Sequence, residues 1–236
     1  NRSDIIWHAV TPGSSAHKDE LMRKTKKGGA STVPSNVLSA IVWQVASGLR
    51  YLHSECHRCH RDIKPQNILV NFQGLVKIAD FGVASTELES TVADMSTFCG
   101  TVHYMAPERL KGNSYSYPSD VWALGVTLYE LTTGSPPFSG KEGFFDLLNN
   151  ISNNPVPEVL PSPTVPDTLV DLIDCMLDKD SSKRVSASQI LKHSFISSAG
   201  AASSKNGGWG GRAATVFSEE TAAGHVESWL KAVAPT

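Results

Sequence analysis

The octapeptide His60-Arg61-Asp62-Ile63-Lys64-Pro65-Gln66-Asn67 (HRDIKPQN) decides the reading of this 236-residue chain. It follows the stretch Pro34 to Ser54, where Leu38, Ile41, Val42, Val45, Leu49 and Leu52 recur at helical spacing. That period predicts an amphipathic helix with Pro34-Ser35 at its start. After the octapeptide come two β-rich runs, Ile68-Leu69-Val70 and Leu75-Val76-Lys77-Ile78. Asn71-Phe72-Gln73-Gly74 between them supplies turn residues, so a short hairpin is expected. Asp80-Phe81-Gly82 stands at the hairpin's exit. A two-stranded hairpin returns its ends side by side, so Asn67 and Asp80 can share a hard cation of the Mg²⁺ type. Residues 83–118 show no clean period, are rich in Ser and Thr, and read as a long ordered loop carrying Ala106-Pro107-Glu108.

Further along, Ser119 to Thr132 is apolar nearly all round and predicts a buried helix, with Asp120 placed to cap it. Helices are expected near 142–152, 167–178 and 186–193, with a link rich in proline from Pro155 to Pro166. Residues 197–213 are rich in Ala, Ser and Gly and read as a flexible linker. Helical character resumes from Glu219, with Val226, Trp229 and Leu230 on one side. The basic cluster Arg23, Lys24, Lys26 and Lys27 before Gly28-Gly29 reads as a solvated helix end. The fold class is therefore mainly α with one short β-hairpin.

Composition narrows the function. Hydrophobic residues make up 40% and charged residues 19%, as in a globular chain. The 21 basic and 23 acidic residues leave a formal charge of -2, which gives no support to a nucleic-acid binder. Four Cys do not suggest a secreted disulfide scaffold. The most apolar run, Val121 to Leu131, is about half of what spans a bilayer, so no membrane association is expected. Cys56-His57-Arg58-Cys59-His60 fits a C-x-x-C-H haem pattern and half a zinc site. Cys99 and Cys175 form no second C-x-x-C, and His60 is already taken up by the octapeptide, so the pattern reads as chance. The chain starts with Asn1 rather than Met and is expected to be incomplete.

HRDIKPQN, Asp80-Phe81-Gly82 and Ala106-Pro107-Glu108, in this order and in these settings, resemble the catalytic loop, metal motif and closing motif of eukaryotic protein kinases. The likeness to the larger, mostly helical lobe runs from about residue 20 to residue 196. It implies ATP and Mg²⁺ as cofactors and a protein hydroxyl as acceptor. By the same resemblance Asp62 accepts or orients the hydroxyl proton, Lys64 reaches the γ-phosphate, and Asn67 and Asp80 hold metal. His60 is implied as a packed orienter of the loop. Asp120 is implied to hold the loop's backbone, and Glu108 with Arg184 to form a buried ion pair. Lys64 and the Gly100-Thr101 pair before Tyr104 resemble Ser/Thr-type kinases. Arg61, beside Asp62, suggests a pocket for a phosphate on the long loop.

Phe144 to Pro163 (FFDLLNNISNNPVPEVLPSP) and His225 to Leu230 (HVESWL) resemble MAP kinase kinases. That subgroup implies a MAP kinase activation loop as substrate, an upstream activating kinase as partner, and a cytoplasmic setting. Thr91 and Thr97, with Ser96 as a substitute, resemble the paired phosphosites of its plant-type members. Gln66, Cys99 and Ala106 depart from the subgroup's usual Ser, Val and Ser, which leaves another Ser/Thr subgroup open. No G-x-G-x-x-G loop and no V-A-I-K-like Lys is found, so the β-rich N-terminal lobe is expected to be missing, and residues 1–236 alone to be inactive. A non-catalytic docking module is the alternative. The expected organisation is an unassigned segment 1–20, the kinase C-terminal lobe 21–196, a linker 197–217 and a C-terminal helix 218–236.

Overall fold

The computed structural model describes residues 33–80, 102–138, 143–202 and 218–233. Helix α1 spans Ser35–Ser54 and buries Leu38, Ile41, Val42, Val45 and Leu49 along one face. Pro34 precedes it at the N-cap, where its missing N–H costs nothing. A single 3₁₀ turn, Pro65–Asn67, leads into strand β1 (Ile68–Val70), which pairs antiparallel with β2 (Val76–Ile78). The register sets Ile68 opposite Ile78 and Val70 opposite Val76. One rung beyond, the Ala79 N–H donates to the Asn67 carbonyl at 2.8 Å, so the hairpin's two ends stay together.

Helix α2 (Pro107–Leu110) is short and lies inside the stretch expected to be a loop. Helix α3 (Tyr117–Thr133) is the centre of the fold, and its Trp122, Leu124 and Leu128 are fully buried. Gly125 is needed on α3 because a Cβ there would lie 2.9 Å from both Leu177 Cδ2 and Met176 Cβ. The cap of α3 differs from expectation. Ser116 is the N-cap and shares a capping box with Ser119, while Asp120 sits one residue deeper. The carboxylate of Asp120 is committed elsewhere, as described below.

Helices α4 (Phe144–Asn153), α5 (Asp167–Met176), α6 (Ala187–Ile190), α7 (Ser194–Ala202) and α8 (Glu219–Val233) complete the described fold. Helix α3 packs between α1 and α5. Helix α7 runs through Ala202, so the first part of the segment expected to be a linker is helical. Buried Phe195 and Ile196 anchor its start. Residues 203–217 lie outside the described residues, as do segment 1–20 and the phosphosites Thr91, Ser96 and Thr97. Among the described residues no helix is long and apolar enough to cross a membrane.

Two polar pairs tie the helical layers. Glu108 on α2 and Arg184 meet bidentately at 2.8 and 3.0 Å, with Ser119 Oγ donating to Glu108 at 3.0 Å. The Arg184 guanidinium also donates to the Pro118 and Asp178 carbonyls and lies 5.1 Å over the Trp122 ring. Burial pushes the Glu108 carboxyl up, but hydrogen bonds and charge from Arg184 outweigh it and hold the group below its ordinary range. Tyr104 donates to Glu130 at 2.6 Å in the interior, and burial and that carboxylate together push its phenol far up.

Candidate functional site

The octapeptide lies between α1 and the hairpin, and its polar groups form one connected network. Lys64 Nζ is 2.8 Å from Asp62 Oδ2. Asn67 Nδ2 donates to the same oxygen at 2.8 Å and to the Asp62 carbonyl at 2.7 Å. Among the described residues both side-chain contacts fall on Oδ2. The amide of Asn67 is buried and committed through its nitrogen, so its oxygen is the atom free to face a cation.

Asp80 stands one residue beyond Ala79, exposed, with a left-handed φ of 55°. His57 and Arg61 share that uncommon region, with φ of 53° and 76°. Three such non-glycine residues in one short neighbourhood are strain that the surroundings must hold in place. An amide oxygen and a carboxylate, held at the adjoining ends of a hairpin, suit a hard divalent cation such as Mg²⁺.

His60 links the two halves. It is buried, and its Nε2 lies 3.0 Å from the Ala79 carbonyl, so Nε2 carries the proton. Its Nδ1 accepts the Asp62 N–H at 3.4 Å. Burial lowers its pKa against the pull of Asp120, which keeps the ring neutral and this tautomer in place. The imidazole therefore braces the backbone of Asp62 against the residue that precedes Asp80.

Asp120 holds the loop from below. Its carboxylate accepts the His60 N–H at 2.8 Å, the Arg61 N–H at 2.9 Å, His53 Nε2 at 2.8 Å and the Tyr115 hydroxyl at 2.9 Å. It is fully buried, and four donors satisfy it. His53 and Tyr115 are partners that the sequence reading did not name. His53 continues the apolar face of α1 four residues after Leu49, and a histidine on such a face signals a buried polar partner. Tyr115 offers no comparable signal.

Around Arg61 opens a cavity of about 550 Å³ lined by His57, Arg58, Arg61, Tyr115 and Tyr117 among others. Among the described residues its lining includes two arginines and a histidine and no Asp or Glu, a composition that favours an anion. Elsewhere Asp171, Cys175 and His193 converge within 4.8 Å. His193 Nδ1 accepts the Phe195 N–H at 3.2 Å, so Nε2 bears the proton that reaches Asp171 at 3.0 Å. That pairing reads as a brace between helices rather than an open metal centre. Among the described residues no metal-ligating cluster forms around Cys56 and Cys59.

Residues 14–196 match the protein kinase domain family. The chain is 42% identical over 177 residues to mitogen-activated protein kinase kinase 3 of Arabidopsis thaliana, covering 75% of this chain and 33% of that protein. It is 42% identical over 198 residues to the mitogen-activated protein kinase kinase SIPKK of Nicotiana tabacum, covering 81% and 53%. A dual specificity mitogen-activated protein kinase kinase of Dictyostelium discoideum is 50% identical over 119 residues, covering 50% and 17%. The chain thus spans about a third to a half of the length of the first two relatives.

Proposed function

This chain belongs to the protein kinase family, and from that premise we propose that it supplies the larger, mostly helical lobe of an ATP- and Mg²⁺-dependent kinase of the MAP kinase kinase class. The observation that carries the reading is the network in which Asp62 is gripped by Lys64 and Asn67 while Asn67 shares the hairpin's ends with Asp80. The likeness to three mitogen-activated protein kinase kinases supports the class. On this reading the acceptor is a Ser, Thr or Tyr hydroxyl on a MAP kinase, and an upstream kinase is a partner.

In the proposed mechanism Asp62 orients the acceptor hydroxyl through Oδ1 and takes its proton as the phosphoryl group arrives. Lys64, 2.8 Å from Asp62 Oδ2, presents positive charge to the moving phosphoryl oxygens. Asn67 fixes the Asp62 carboxylate with its amide nitrogen and offers its oxygen, beside the Asp80 carboxylate, to Mg²⁺. A cation held there would supply neutralising charge to the nucleotide phosphates. His60 and Asp120 do no chemistry and hold the loop's backbone.

The test is Asp62→Asn in an active chain carrying this segment. Turnover should fall by about 10²–10⁴ with nucleotide binding nearly unchanged, as for loss of a positioned base. Wild-type turnover in that variant would remove Asp62 from the mechanism.

A further inference from the structure

The C-terminal helix α8 meets the hairpin at its turn, on the side away from the octapeptide. Ala222, Val226 and Leu230 recur every four residues and are all buried, forming the stripe with which α8 packs on α1. Asn36 Nδ2 lies 3.1 Å from His225 Nδ1, and Lys77 of β2 lies 3.9 Å from Glu219 in the first turn of α8. The closest approach is at Gly74, whose φ is 76°. A Cβ there would stand 2.0 Å from the Ala223 carbonyl oxygen and 2.7 Å from the Glu227 nitrogen. Backbone therefore rests on backbone, at a position where only glycine leaves the room.

The turn is held from the other side as well. Gln44 of α1 donates to the Gly74 carbonyl at 3.1 Å and accepts the Val76 N–H at 2.8 Å. A lone two-stranded hairpin is marginal in water, and each strand here has three residues. At about 3.3 Å per residue, roughly 10 Å separates the turn from the paired ends. The turn is thus only three paired positions away from Asn67 and Asp80.

We propose that α8 is a positioning element: docked on the turn at Gly74, it holds the hairpin so that Asn67 and Asp80 keep the spacing a shared divalent cation needs. The cation itself belongs to the function proposed above, while the mechanical coupling stands on the packing of α8. Gly74, Val226 and Leu230 are positioning residues, since none of them reaches the octapeptide. The chain linking α7 to α8, residues 203–218, is short enough to keep α8 at high effective concentration beside its seat.

Amide exchange and Mn²⁺-induced line broadening on the 236-residue chain test this together. Leu230→Asp removes the end of the stripe without touching the turn. Gly74→Asn adds bulk at the contact while tolerating the left-handed backbone, so it tests the close approach rather than strain. Both variants should raise exchange at the Val76 and Ala79 amides by at least about 10-fold with α3 amides unchanged. Both should also weaken Mn²⁺ broadening at residues 62–67 and 79–80. If Trp229 fluorescence reports α8 displaced while Val76 and Ala79 keep wild-type exchange, the coupling is refuted. If the wild-type chain shows no Mn²⁺ broadening, the cation reading fails and the exchange rates still decide the coupling. Should Leu230→Asp loosen α3 as well, Gly74→Asn decides alone, because Gly74 contributes no side chain to the core.

Discussion

At the scale of single residues, His60 shows how one protonation state keeps the site in order. Burial lowers its pKa below 6.5, and the neutral ring bridges Asp62 N–H to the Ala79 carbonyl. The unfolded chain takes up this proton near pH 6.5, before the folded one does. Stability from His60 is therefore present above pH 6.5 and lost as pH falls toward the lowered folded value. The urea midpoint should drop between pH 7.5 and 5.5, and His60→Phe should be weaker at pH 7.5 yet flatter over that window. An equal drop in wild type and variant would assign the effect to another group. Lys179 gives the same sign on the alkaline side. Burial lowers its pKa to about 8, with Lys111 adding to the effect. Its ammonium lies 4.7 Å over the Phe138 ring and donates to the Asn150 and Ile151 carbonyls at the end of α4. The folded chain sheds this proton first, so stability should rise between pH 8 and about 10, and Lys179→Met should remove the rise. Above pH 10 the buried phenols of Tyr104 and Tyr115, held neutral, reverse the trend.

At the scale of elements, the Glu108–Arg184 pair fastens α2 to the chain leaving α5. Removing one partner leaves a buried charge without its mate, so Glu108→Ala or Arg184→Met alone should cost about 3–5 kcal/mol. The double change should cost less than the sum of the singles. Thermal melts of the four proteins measure this, and additive losses would show that the two side chains act independently. Elements with a strong pattern were readable in the sequence: α1 follows from its apolar spacing, α3 from being apolar nearly all round, and the hairpin from its turn residues. What pattern does not carry was missed or misplaced. The cap of α3 fell to Ser116 because two serines three apart satisfy each other, while Asp120 finds four donors from other elements. The start of the expected linker is helical because Phe195 and Ile196 find a core that sequence alone does not display. In the site, Asp62, Lys64, Asn67 and Asp80 were legible as a motif. His53 and Tyr115 were not, since their role arises only when segments distant in sequence meet.

At the scale of the whole molecule, we propose that the cavity beside Arg61 receives a phosphate carried on Thr91 or Thr97. A phosphate brings about -1.5 to -2 charges and three acceptor oxygens, enough for several charge-assisted bonds to Arg58 and Arg61. Thr91→Ala with Thr97→Ala, in an active chain treated with an activating kinase, should show no gain in activity. A gain to the wild-type level with Ser96 unmodified would move the switch elsewhere. The whole-molecule view also bears on how the chain is made. Asp120 gathers His53, His60 and Arg61 from 67, 60 and 59 residues upstream. The carboxylate that straightens the octapeptide is therefore synthesised long after the octapeptide itself. At about 5–20 residues per second, a growing chain waits roughly 3–12 s for that partner. Through this interval the backbone at His60 and Arg61 lacks the Asp120 carboxylate, and the apolar face of α1 has no α3 to cover it. Birth on the ribosome is thus the period in which this segment is most exposed to chaperones and to neighbouring chains.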